Sequence, residues 1–124
     1  MPSPDILIVD DDPDIREALT QALEVEGYRV SIAVNGWDAW EKLHSGLSPA
    51  LVLLDLMMPI MNGAEFLAAL RGDAALRDLP VILVSAFDSV AAAHAHQSQC
   101  YLAKPVDLDT LIETVARFCS PQPR

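Results

Sequence analysis

Three things are scarce in this sequence, and each scarcity closes off a class of protein. The first is apolar continuity. No run of about 18 apolar residues occurs, the length a helix needs to cross a bilayer, so membrane insertion is not expected. The opening residues, Met1-Pro2-Ser3-Pro4-Asp5, also lack the basic and apolar regions of a secretory leader, and the expected compartment is the cytoplasm. The second is cysteine. Cys100 and Cys119 are the two present; in a cytosolic chain they read as buried thiols and are too few to build a metal site. The third is positive charge. Lys and Arg number 8 against 18 Asp and Glu, a net charge of −10. That field repels a phosphate backbone, which argues against direct nucleic-acid binding, and it attracts metal cations or a basic protein surface.

What is present in quantity is apolar side chain, 52% of 124 residues, enough to bury a sheet and too much for a disordered chain. The length fits one domain, expected over residues 1–124 with a core from about 5 to 119 and short flexible tails. No internal repeats occur.

Short apolar runs alternate with helical patterns. Ile6-Leu7-Ile8-Val9, Leu51-Val52-Leu53-Leu54 and Val81-Ile82-Leu83-Val84 read as strands buried on both faces. Val30, Ile32 and Val34 suggest a half-exposed edge strand, and Tyr101-Leu102-Ala103 a short fifth one. Asp12 offers an N-cap with Pro13 at the first helical position, and Ile15, Ala18, Leu19, Ala22 and Leu23 recur at helical spacing up to Gly27. Asn35-Gly36 opens a second helix carrying Ala39, Trp40 and Leu43, and Trp37 and Trp40 read as packing residues. Asn62 with Glu65 resembles a capping box ahead of Phe66, Leu67 and Leu70. The alanine-rich stretch 88–99 is a weak helical pattern. Asp107 caps a last helix with Leu108, Leu111, Ile112, Val115 and Phe118 facing inward. Strands alternating with helices at this length predict an α/β fold: a doubly wound, five-stranded parallel sheet of flavodoxin-like order 2-1-3-4-5, with helices on both faces.

In such a sheet ligands bind beyond the carboxyl ends of the strands. Asp10-Asp11-Asp12 follows the first strand, Asp55 the third, Ser85 the fourth, and the fifth leads to Lys104. The first and third strands are neighbours, so Asp10, Asp11 and Asp55 converge. Carboxylates that close repel one another unless a cation joins them, and hard oxygen donors with an open side suit Mg²⁺ (or Mn²⁺). With a metal present, a carboxylate can attack phosphorus and form an aspartyl phosphate. Lys104 supplies a second positive charge, and Ser85 a hydroxyl within reach of the phosphoryl group.

Those residues carry a resemblance. Ile8-Val9-Asp10-Asp11-Asp12, Leu53-Leu54-Asp55-Leu56-Met57-Met58-Pro59, Met61-Asn62-Gly63, Val84-Ser85-Ala86 and Tyr101-Leu102-Ala103-Lys104-Pro105 resemble, in order and position, the receiver domain of two-component response regulators. The resemblance implies that Asp55 is the phosphoacceptor, that Asp11 contacts the metal directly and Asp10 through water, and that the backbone carbonyl of Met57 is a further ligand. It implies that Lys104 pairs with the phosphoryl group, that the Lys104-Pro105 peptide is cis, and that Ser85 and Tyr101 form the switch. The implied donor is a phosphohistidine on a sensor histidine kinase or histidine phosphotransfer protein. The downstream protein is not named by the sequence. Receivers of this kind catalyse their own phosphorylation and dephosphorylation.

The interval from Ser85 to Lys104 is a few residues shorter than in the family, and Gln97-Ser98-Gln99-Cys100 replaces its usual Gly-Ala step. A short, shifted or partly unwound helix over 88–99 is therefore expected, and with it an altered output surface. Met57 and Phe87 flank the implied path of the attacking water, and both are large and apolar, which predicts a long-lived phosphorylated state. His44, His94 and His96 read as surface residues.

Three other functions are compatible with parts of the pattern. A haloacid-dehalogenase-type phosphatase would use Asp10 as nucleophile, but Asp14 stands where that motif wants a threonine-like residue, and Asp55 would have no role. A flavodoxin-like cofactor carrier would need a phosphate-holding loop where three carboxylates stand. A non-phosphorylated, receiver-like binding module would not need the charged set that is present.

Overall fold

Strands that are apolar on both faces need helices on both sides, and the chain supplies them in turn. The structure, a computed structural model, describes residues 5–56, 58, 61–86 and 100–119. Its elements run β1 (Ile6–Val9), α1 (Pro13–Val25), β2 (Val30–Ala33), α2 (Gly36–His44), β3 (Leu51–Asp55), α3 (Gly63–Gly72), β4 (Val81–Ser85), β5 (Cys100–Ala103) and α4 (Leu108–Phe118). All strand pairs are parallel, in the order β2-β1-β3-β4-β5. This is the predicted doubly wound sheet.

Alternate residues of the central strands feed two separate cores. Leu7, Val9, Val52, Leu54 and Leu83 pack with Leu43 of α2 and Phe66, Leu67 and Leu70 of α3. Ile6, Ile8, Leu53, Ile82 and Val84 pack on the other face with Leu19 and Leu23 of α1 and Leu111 and Val115 of α4. Burial of a Leu or Ile side chain stabilises by about 1.5–3 kcal/mol, so the two layers hold the central strands firmly in register.

Each helix starts just beyond the carboxyl end of a strand on a side-chain cap. Asp12 Oδ1 accepts from Asp14 N at 2.9 Å and Asn35 Oδ1 from Asp38 N at 2.8 Å. Asn62 and Glu65 close the predicted capping box, at 2.9 and 3.2 Å, and Asp107 accepts from Thr110 N at 3.0 Å. Gly27 and Gly46 leave α1 and α2 at φ 95° and 108°, a region that glycine alone enters cheaply.

β2 is the predicted half-exposed edge strand: Val30 is partly buried, Ala33 is buried, and Ile32 and Val34 are exposed. Trp40 packs against the α2/α3 core as predicted, but Trp37 is 50% exposed. The segment 88–99, with its predicted short or irregular helix, lies outside the described residues, as do Met57, Phe87, His94 and His96. Among the described residues no helix is long and apolar enough to cross a membrane.

Candidate functional site

Register decides which side chains meet. Val9 pairs with Leu54 across β1 and β3, so the next residues, Asp10 and Asp55, emerge side by side at one rim. Asp55 in turn lies opposite Val84, one residue before Ser85, and Ser85 lies opposite Ala103, one residue before Lys104. Four strand ends thus converge, as the sequence predicts.

One carboxylate oxygen from each of Asp10, Asp11 and Asp55 lies within 4.8 Å of the other two. Asp10 and Asp55 are buried, at 2% and 5% exposure, whereas Asp11 faces solvent. Lys104 Nζ sits 3.0 Å from Asp10 Oδ2 and 3.5 Å from Asp55 Oδ2. Burial pulls the Lys104 pKa down, but the hydrogen bond and charge of Asp10, reinforced by Asp55, outweigh it, and the net shift is upward. The lysine therefore stays cationic throughout the neutral range. Three carboxylates outnumber that one ammonium, the donors are hard oxygens, and the Asp11 side is open to water. This combination fits a divalent cation such as Mg²⁺, which keeps some of its own waters.

Ser85 is fully buried, and its carbonyl accepts from Lys104 N at 2.9 Å, tying the ends of β4 and β5 together. Tyr101 is partly buried against the α2/α3 core. The Lys104-Pro105 peptide is cis. Met57, the implied carbonyl ligand, and Phe87 lie outside the described residues.

Sequence reading missed the residues that hold this site from behind. Gly63 N donates to Leu56 O at 3.1 Å, and a Cβ on Gly63 would lie 2.6 Å from Leu56 Cα and collide with the carbonyl oxygen of Asp55. Gly36 N donates to Met61 O at 2.9 Å, and a Cβ there would come within 2.6 Å of the same oxygen. Each glycine allows a backbone to press on the loop after β3. Both follow an asparagine, a pairing that reads in sequence only as a helix start. Arg16 was also missed: its Nη1 donates to the backbone oxygen of Asp10 at 2.8 Å.

Comparison with known proteins agrees with this fold. The model of the response regulator receiver domain family matches residues 6–116, and the chain belongs to that family. It is 40% identical over 121 residues to the response regulator Rre1 of Synechocystis sp., covering 94% of this chain and 52% of that protein. It is 40% identical over 110 residues to the response regulator MprA of Mycobacterium tuberculosis, covering 86% of this chain and 46% of that protein. The chain thus spans about half the length of these curated relatives. Among solved structures, the response regulator TrrA of Thermotoga maritima in complex with Mg²⁺-BeF superposes with a TM-score of 0.82 at 35% identity, covering 91% of this chain and 96% of that one. The receiver domain of a signal transduction histidine kinase from Syntrophus aciditrophicus gives 0.85 at 32% identity, covering 94% and 89%.

Proposed function

We propose that Asp55 accepts a phosphoryl group from a phosphohistidine on a sensor histidine kinase or histidine phosphotransfer protein in the cytoplasm. The observation that carries this reading is a buried carboxylate within 4.8 Å of two others and 3.5 Å from a lysine ammonium. A carboxylate oxygen of Asp55 attacks phosphorus. The P–N bond to the imidazole breaks, its electron pair returns to that nitrogen, and the ring takes a proton from solvent. Asp10, Asp11 and Asp55 are the residues that would hold Mg²⁺ or Mn²⁺, with the backbone carbonyl of Met57 implied by the family. When bound, the ion neutralises charge on the phosphoryl oxygens. The complex of TrrA with Mg²⁺-BeF supports this assignment by likeness. Lys104 holds the second positive charge at the phosphoryl group. Ser85 then donates its hydroxyl to the new group, and Tyr101 follows, changing the surface that a downstream protein reads. Met57 and Phe87 slow hydrolysis by excluding water.

The test is incubation of the intact chain with acetyl phosphate and Mg²⁺, followed by mass measurement. A gain of one phosphoryl group is expected, lost in Asp55→Asn and on chelation of the metal. A label that survives Asp55→Asn and disappears in Asp10→Asn favours the phosphatase alternative. No label under any condition leaves only the receiver-like binding module. For Met57 and Phe87, the phosphorylated half-life is expected to shorten in a Met57→Asn, Phe87→Glu double variant.

A further inference from the structure

Asp10 is held at each of its polar groups. Its N–H donates to Ala33 O at 3.2 Å, its Oδ1 accepts from Asp12 N at 2.9 Å, and its Oδ2 faces Lys104 Nζ at 3.0 Å. The remaining group, the backbone carbonyl, accepts from Arg16 Nη1 at 2.8 Å. That carbonyl belongs to the planar peptide unit linking Asp10 to Asp11. A guanidinium that fixes it fixes the plane from which the exposed Asp11 carboxylate leaves the backbone.

Helix stability does not account for Arg16. It lies in the first turn of α1, where the helix dipole disfavours a cation. Its Nε is buried and has no hydrogen-bond partner among the described residues, an arrangement that costs free energy. A side chain that carries both of these costs, yet reaches the backbone of the acidic pair, is explained by the geometry it imposes there.

We propose that Arg16 is a positioning residue for the divalent-metal site, aiming the Asp11 carboxylate by clamping the Asp10–Asp11 peptide. The proposal rests on the reading of Asp10, Asp11 and Asp55 as metal ligands. Charge alone predicts the opposite of positioning. A guanidinium beside the cluster repels a dication, so its removal should tighten Mg²⁺ binding on Coulombic grounds. If Arg16 positions the ligands, removal loosens it.

The experiment titrates Mg²⁺ into the metal-free chain and follows the backbone amide signals of Asp10, Asp11 and Asp55 by NMR. In Arg16→Met the Mg²⁺ affinity is expected to fall about ten-fold, as for the loss of other groups that orient metal ligands. Arg16→Lys, which keeps the charge and one donor, should lie between that variant and the wild type. Unchanged or tighter binding in Arg16→Met overturns the proposal, as does equal affinity in Arg16→Met and Arg16→Lys. Should Arg16→Met not fold, Arg16→Lys is read against the wild type. The charge is then constant, so weaker binding is expected from the lost guanidinium fork, and unchanged binding overturns the proposal. A wild type that takes up no Mg²⁺ overturns the metal reading as well, whereas a wild type that binds and an Arg16→Met that binds equally well overturn only the role of Arg16.

Discussion

A methyl group added to Gly63 would press on Leu56 Cα at 2.6 Å and on the carbonyl oxygen of Asp55, backbone atoms that cannot give way without moving the Asp55 carboxylate. Gly72, at the far end of the same helix, has nothing within 4 Å of its own virtual Cβ. The two positions make a controlled pair, because both gain the same methyl group in the same helix. Gly63→Ala is expected to destabilise by about 1–3 kcal/mol through overpacking. Gly72→Ala is expected to be neutral or stabilising by up to about 1 kcal/mol, since alanine restricts the unfolded chain more than glycine does. Urea denaturation of both variants checks this, and equal effects would show that the close approach at Gly63 carries no strain. The acidic site is affected by one variant only, so phosphorylation by acetyl phosphate should slow in Gly63→Ala and not in Gly72→Ala.

Between elements, α2 does two separate jobs. Along one side it covers the open edge of the sheet. Lys42 Nζ donates to Ile32 O at 2.6 Å, Asp38 Oδ2 accepts from Val34 N at 3.0 Å, and the two side chains pair at 3.3 Å. Unpaired edge groups are templates for strand addition, and beside exposed Ile32 and Val34 they would be a liability. An Asp38→Ala, Lys42→Ala double variant is therefore expected to self-associate at concentrations where the wild type sediments as before. Toward its end, α2 is tied to the residue capping α3. His44 Nδ1 lies 2.9 Å from Trp40 O and Nε2 lies 3.1 Å from Asp73 Oδ2. Only the doubly protonated ring can donate to both, so the Trp40 carbonyl first and Asp73 second raise the His44 pKa. The Asp73 pKa is lowered, chiefly by the Ala75 N–H and then by His44. Stability from a raised histidine is complete below its ordinary 6.5 and is lost as pH climbs through the folded value. Stability from a lowered carboxylate is present above its ordinary 3.8 and is lost as pH falls through the folded value. The tie is thus strongest between those two limits and weakens on the alkaline side. In Asp73→Asn the His44 NMR titration midpoint should fall but stay above 6.5, because the Trp40 carbonyl remains; an unmoved midpoint would exclude Asp73 as a cause.

At the scale of the molecule, the parts readable from sequence are those that short stretches of chain decide for themselves. The capping side chains Asp12, Asn35, Asn62 and Asp107 and the doubly buried runs of β1, β3 and β4 are local signals, and together they imply the strand order. Once the order is known, the meeting of Asp10, Asp55 and Lys104 follows. Contacts that depend on how the loops stack do not announce themselves in this way: Arg16 on the Asp10 carbonyl, Gly36 on Met61 and Gly63 on Asp55 are of this kind. The net charge of −10 belongs to no single segment, and it yields a last prediction. Like charges oppose the compact state, and at an ionic strength of about 0.15 M they are screened beyond about 8 Å. Sodium chloride should therefore raise the melting temperature of wild type and variants alike. Mg²⁺ at matched ionic strength should raise it further only where the acidic cluster can bind it, since a ligand that binds the folded state alone stabilises that state by mass action. Asp11→Ala removes one repelling carboxylate within 4.8 Å of the other two, so its metal-free melting temperature should exceed that of the wild type. The same variant should keep the response to sodium chloride and lose the extra response to Mg²⁺. Calorimetry on both proteins in both salts separates the terms. If Asp11→Ala answered Mg²⁺ as fully as the wild type, the ion would be acting on the diffuse charge of the surface, and Asp11 would be no ligand.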